Sequence, residues 1–516
     1  MQSRSKLLTM ALAAILVAVM VGTSFAIPAK PRPVRLEQPD GSSFIATLKG
    51  DEHFQFAEDQ DGHSLKVNAD GWWTYARQEN GLLVPSTYIV GKSECPYPRH
   101  LRPSAAAVAA MPENAHKMIN VPDEVRHKRS MDFLYGIGGT PENPTNTKVP
   151  SPGRNYMNVV LGDFSDSTFA WYSASEKAGN NPYGPFPYDA SATNNHALAN
   201  TKFFWFVCYG DSTSPYVPDS SVVGSMSNYY YDFSYKKTWW YGGVSAIVAT
   251  GVARTNAVVS GGAPSSTYYN AALSGADASI DYDNDNNGAA DGLILVHPGP
   301  GQEESGDTKD IWSMSMTGSF GTRDGVSITE LIVCPQNGQL GVFAHEMFHQ
   351  IGGPDLYDYG YSGTPWGEWS LMDNGSWNGI KGGDQPAFPG GHLQYDIDGK
   401  FSTGINGWIN DGAILRSDSI SSAWRGDGQY TIAALDSVGT ARQGSVTSGY
   451  RLWRVRNNAF RDSGQVFLVE LRRKTPPYEV GLPEEGLIIT HIDTRMGVQT
   501  RFNDGPPCEK IGRAHV

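Results

Sequence analysis

The sequence predicts an α+β chain. A β-rich part near the N-terminus precedes a mixed central part built around one short helix, and an antiparallel β part follows. Three observations predict this. Residues 34–91 are short apolar runs separated by Asp40-Gly41, Asp61-Gly62, Asp70-Gly71 and Asn80-Gly81, dipeptides that favour tight hairpin turns. Residues 341–351 place Val342, Phe343, Met347, Phe348 and Ile351 at helical spacing, and Gly352-Gly353-Pro354 stops the run. Residues 411–493 alternate apolar and polar, as in 450–455 and 466–471.

The chain has 516 residues, enough for roughly two to four domains and a sizeable core. Its 58 Gly, 32 Pro, 25 Tyr and 13 Trp suit a loop-rich, β-containing extracellular protein better than a helical bundle. The net charge of −13, with no basic stripe, argues against a nucleic-acid partner.

Residues 1–26 have the pattern of a signal peptide. Arg4 and Lys6 precede an apolar run at 7–21, and Ser24-Phe25-Ala26 offers small residues for cleavage before Ile27. The run is short for a membrane span, so cleavage and export are expected, with no stable span afterwards. Residues 28–33, Pro28-Ala29-Lys30-Pro31-Arg32-Pro33, read as a stiff linker. Residues 27–97 form the expected β-rich pro-region.

Residues 98–152 read as a helical segment and activation linker. Within them Arg126-His127-Lys128-Arg129 is either a solvated basic face or an activation cleavage site. A strand-like run from Tyr156 opens the expected catalytic domain, 153–410, in which 227–234 is aromatic and helical. A β-rich domain at 411–508, read as truncated, and a tail at 509–516 that fits no element complete the chain. None of Cys95, Cys208, Cys334 and Cys508 has the spacing of a cysteine metal site, and Cys208–Cys334 is the disulfide pair to test.

Two stretches carry metal chemistry. In 283–291, Asp283, Asp285 and Asn287 alternate, Gly288 permits a sharp turn and Asp291 follows, a spacing that wraps calcium in oxygens. The twelfth position from Asp283 is Ile294 rather than Glu and a strand follows, so the loop is not an EF-hand; a solvated Asp/Asn turn is the other reading.

The second stretch is His345-Glu346-Met347-Phe348-His349. Residues four apart share a helix face, so His345 and His349 can hold one zinc ion, and Glu346 can act as general base on a water there. The turn at Gly352 would bring Asp355 back as a third ligand. Met372, in Ser370-Leu371-Met372-Asp373, would be a methionine turn beneath the metal. Glu368 is the rival third ligand, nineteen residues beyond His349, though Gly363-Thr364-Pro365-Trp366-Gly367 before it is a poor helix.

These pieces come in the order of a known family. Gln38-Pro39-Asp40-Gly41, Gly50-Asp51-Glu52, the 283–291 loop running into His297-Pro298-Gly299, His345 to Asp355 with Leu356-Tyr357-Asp358, Trp369 to Met372, Glu470-Leu471-Arg472 and Gly486 to Asp493 resemble the immune-inhibitor-A-like secreted zinc metallopeptidases, a metzincin-related group. The resemblance implies a metzincin-like zinc-peptidase catalytic domain between the two β-rich parts. It implies His345, His349 and Asp355 as zinc ligands, Glu346 as base, protein or peptide substrates and synthesis as a zymogen. A monomer is expected. Latency through a Cys95 thiolate on the zinc is one route. The alternatives are a gluzincin-type peptidase using Glu368, and a surface adhesion or carbohydrate-binding protein with an inert metal site.

Overall fold

The computed structural model describes residues 24–52, 54–104, 107, 153–169, 204, 208–209, 225–234, 238–351, 353, 355–358, 365–380, 382–394, 414–416, 432–435, 451–455, 465–475 and 478–493. The apolar run at 7–21, the basic run at 126–129, Cys508 and the tail at 509–516 lie outside the described residues.

A three-residue strand, β1 (Ser24–Ala26), comes first. Then β2 (Pro33–Glu37), β3 (Ser43–Gly50), β4 (Gln55–Asp59), β5 (Ser64–Val67), β6 (Trp73–Glu79) and β7 (Leu82–Ile89) form an antiparallel sheet in sequence order. Four of its five turns use the Asp/Asn-Gly dipeptides: Gly41, Gly62, Gly71 and Gly81 have φ of 83°, 86°, 82° and 82°, the region where glycine has no Cβ penalty. One face buries Leu36, Ala46, Leu48, Ala57, Leu65 and Trp73 against Trp312 and Met314 of the central unit.

The central sheet contains β8 (Gly153–Asp163), β9 (Thr238–Tyr241), β10 (Val244–Ala249), β11 (Gly292–His297) and β12 (Met314–Thr317). A small ribbon, β13 (Thr322–Arg323) with β14 (Val326–Ser327), leads to its last strand, β15 (Glu330–Pro335). The order is β1-β12-β15-β11-β8-β10, with β9 beside the start of β8. The inner pairs β15–β11, β11–β8 and β8–β10 are parallel, while β12 and β1 join antiparallel. Parallel strands covered on both faces read as continuous apolar runs. Here the period-two alternation sends Val159, Leu161, Ile294, Val296 and Ile332 to one core and Val160, Leu293, Leu295, Leu331 and Val333 to the other.

Helix α1 (Met226–Phe233) is capped by Ser225, whose hydroxyl accepts from the amide of Asn228. Helix α2 (Ser266–Ala276) fills the second core. Helix α3 (Leu340–Gln350), the predicted metal helix, is buried at every residue. Gly341 is required there: a Cβ would lie 1.8 Å from the Ser376 carbonyl oxygen. Tyr230 of α1 donates its hydroxyl to the Ala344 carbonyl at 2.6 Å, binding α1 to α3. The last sheet runs β16 (Ile414–Arg416), β17 (Leu452–Val455), β18 (Gln465–Arg472), β19 (Gly486–Asp493), antiparallel except β16–β17.

Two expectations change. The segment at 28–33 is not a free linker: Pro28 and Ala29 are buried, and its polar groups bond to the central unit. Cys208 and Cys334 are buried free thiols, not a disulfide.

Candidate active site

Helix α3 sets His345 and His349 one turn apart on one face. Their Nε2 atoms lie 3.1 Å apart. Asp355 Oδ1 is 3.2 Å from each. All three residues are buried. Each imidazole is aimed by its other nitrogen: His345 Nδ1 is 2.8 Å from the Leu371 carbonyl oxygen, and His349 Nδ1 is 2.8 Å from that of Gly353. A carbonyl can only accept, so each Nδ1 carries the proton and each Nε2 offers a lone pair. Two lone pairs and a carboxylate oxygen therefore converge on one point. That donor set fits a single divalent cation, and carbonyl partners on ligating histidines are the usual support for one.

The charges agree with this. Burial and then the neighbouring His349 disfavour protonation of His345. Burial first, and then the charge of Asp355, push the Glu346 carboxyl well above its ordinary value. A dication beside it would favour its ionised form instead.

The 370–373 turn does more than supply a floor. The Leu371 carbonyl orients His345, and the Met372 carbonyl accepts from the Leu356 amide at 2.7 Å, fixing the backbone next to Asp355. Met372 itself is fully buried. Asp373 accepts from the amides of Trp366, Gly367 and Asn374, and burial raises its carboxyl to about 7. Glu368 is exposed on a 3-10 turn and lies outside the His345, His349 and Asp355 group. Cys95 bonds to the Tyr97 carbonyl and is likewise outside that group; burial raises its thiol pKa.

A segment of the chain's own N-terminal part lies across this site. β1 pairs antiparallel with β12, Ala26 opposite Met314. The next amide, Ile27 N–H, donates to Glu346 Oε1 at 2.9 Å. Tyr357 donates its hydroxyl to the Ala26 carbonyl at 2.9 Å. The indole N–H groups of Trp312 and Trp377 donate to the carbonyls of Ile27 and Pro28 at 2.8 and 2.9 Å. The Lys30 amide then bonds to the Glu303 carbonyl, and Lys30 Nζ pairs with Glu304 at 2.6 Å. Glu303 is buried, its carboxylate accepts from Ser313, and burial raises its pKa to about 7. None of these contacts is signalled by local spacing, because the partners lie roughly three hundred residues apart in the chain.

The C-terminal sheet braces the site from behind. Arg472 of β18, fully buried, donates to the carbonyls of Trp369 and Phe388 and pairs with Glu470 and Glu479. Glu470 also accepts from the Gly391 amide, and Glu479 from that of Phe388.

The 283–291 loop is arranged differently. Asp283 accepts from the amides of Asn287 and Gly288, Asp285 from Asn287, and Asp291 from the amide and side chain of Asn284. Burial raises the Asp291 carboxyl to about 6. The loop's carboxylates form no close ligand group among the described residues.

Comparison with known proteins bears on the same stretch. Residues 268–401 match the model of the immune inhibitor A peptidase M6 catalytic domain. The pre-pro-metalloprotease PrtV of Vibrio cholerae is 33% identical over 145 residues, 24% of this chain and 15% of that protein. Immune inhibitor A of Bacillus thuringiensis subsp. alesti is 34% identical over 121 residues, 20% of this chain and 18% of that protein. The matched segment thus spans less than a fifth of these curated relatives. The matched residues include α3, Asp355 and Met372, so the stretch that carries the buried donor set is similar to the immune-inhibitor-A-like metallopeptidases.

Proposed function

We propose that this protein is a secreted zinc-dependent endopeptidase, made as a zymogen, that cleaves proteins or peptides. The observation that carries the reading is the convergence of His345, His349 and Asp355 on one buried point, with Glu346 beside it holding a peptide N–H. Zinc held by these three residues would polarise a peptide carbonyl and lower the pKa of a water. Glu346 takes the proton of the attacking water and returns it to the leaving amide nitrogen. The 2.9 Å contact from Ile27 N–H to Glu346 supports the second transfer, because it has the geometry that transfer needs.

The zymogen reading is supported by residues 27–30, whose backbone is held by Glu346, Trp312, Trp377 and Glu303 beside the donor set. Activation then requires their departure, and a cut within 98–152 would release them. Cleavage of the signal segment after Ala26, which would remove β1 and leave residues 27–30 beside the donor set, release from the cell and action as a monomer belong to the same proposal. No helix among the described residues is long and apolar enough to cross a membrane.

The test is cleavage of an unstructured protein such as casein. Wild type is expected to cleave it and to lose that activity to a chelator. Glu346→Gln should keep its zinc and lose activity by about a thousandfold or more, the scale of removing a general base together with its charge. Full activity in that variant would sink the mechanism. Calcium at Asp283, Asp285, Asn287 and Asp291 is a separate proposal, supported by their spacing.

A further inference from the structure

In the uncleaved chain the Ala26–Ile27 peptide bond lies beside the donor set with each of its polar atoms held. Its N–H is on Glu346 and its carbonyl oxygen is on Tyr357. Residues before it run as a strand along β12, and the next two carbonyls are held by Trp312 and Trp377. A peptide about to be cut has the same needs: an extended backbone, a base near its nitrogen and a donor at its carbonyl oxygen. The segment therefore marks the substrate path.

We propose that Tyr357 is a catalytic residue, whose hydroxyl donates to the carbonyl oxygen of the bond being cut, and that Trp312 and Trp377 hold the two carbonyls that follow. This deepens the peptidase reading and rests on it. When water adds to the carbonyl carbon, the C=O π pair moves onto that oxygen, and a donor already aimed there stabilises the charge without reorganising. The C–N bond then breaks, the electron pair stays on nitrogen, and Glu346 delivers the proton. Tyr357 keeps its own proton throughout and acts only as a donor. Its buried ring and its place two residues beyond Asp355 fix the hydroxyl relative to the donor set.

The experiment uses the full chain, produced with zinc and left until casein cleavage reaches a plateau. Tyr357→Phe removes one oxygen atom and is expected to lower kcat by about a hundredfold to a thousandfold, as loss of an oxyanion donor does. KM should stay within about twofold, since the interaction gains strength only in the transition state. Zinc content and the thermal midpoint should match wild type. Tyr357→His, which returns an N–H donor, should recover part of the loss. Trp377→Phe should instead raise KM with kcat retained, the mark of lost uniform binding. A Tyr357→Phe enzyme with wild-type kcat overturns the role, as does one whose activity falls only because zinc or folding is lost. A wild type with no chelator-sensitive cleavage overturns the peptidase reading itself.

Discussion

The metal helix and the 283–291 loop both present oxygen- or nitrogen-bearing side chains at short spacing, yet they end in opposite states. In the loop, the carboxylates are half-buried or exposed and turn back on amides two to seven residues away. In the helix, His345, His349 and Asp355 are buried, and the histidines are oriented by the carbonyl of Leu371, 26 residues beyond His345, and by that of Gly353 just after the helix. A turn that satisfies itself needs no ligand. A buried donor set aimed by remote carbonyls is costly unless a cation joins it, because polar groups out of water must be paired. Spacing alone therefore does not distinguish a metal site; what surrounds the donors does.

The largest effect that could break this contrast is at Asp355. Asp355→Ala should abolish stoichiometric zinc binding and casein cleavage together. It should also remove the stabilisation that bound metal contributes, about 4 kcal/mol when zinc is a thousandfold above its Kd. Zinc counted per chain and a thermal melt with and without chelator check this, and an Asp355→Ala chain that still holds one zinc would mean the contrast is misdrawn. The next effect sharpens the role of remote bracing. Arg472→Met leaves Glu470 and Glu479 buried without their cation and should cost about 3–5 kcal/mol of stability by denaturant melt, the scale of breaking a buried ion pair. Because Arg472 holds Trp369 and Phe388, activity should fall with it. The smallest effect is at the loop. Asp285→Ala in calcium-free buffer should change stability by no more than about 0.5 kcal/mol, as for an exposed side chain. A calcium titration that raises the midpoint of wild type, but not of this variant, would turn the loop into a second metal site; a flat titration leaves it a turn.

How much of this was legible follows from where each signal resides. The metal helix was, because His345, Glu346 and His349 lie within five residues and the apolar pattern places them on a helix. The hairpins between β2 and β7 were, because Asp-Gly and Asn-Gly encode their turns locally. The placement of residues 26–32 was not: Pro-Ala-Lys-Pro-Arg-Pro has linker composition, and only Trp312, Trp377 and Glu304, far along the chain, give it a seat. Glu470-Leu471-Arg472 stood out by resemblance without a role, since buried charges become intelligible only once their carbonyl partners are in place. Cys208 and Cys334 permitted a disulfide by redox compartment, but both thiols are enclosed in the same apolar core and remain free.

The pairing of β1 with β12 has one more consequence. β12 ends the central sheet, and β1 is what covers its outer row of N–H and C=O groups. Once that cover departs, Met314–Thr317 becomes an open edge that accepts any extended chain, whether a peptide to be cut or the same edge of a neighbouring molecule. β1 thus protects the uncleaved chain from sticking to its own kind, and a preparation cut after Ala26 should tolerate crowding less well than the uncleaved chain.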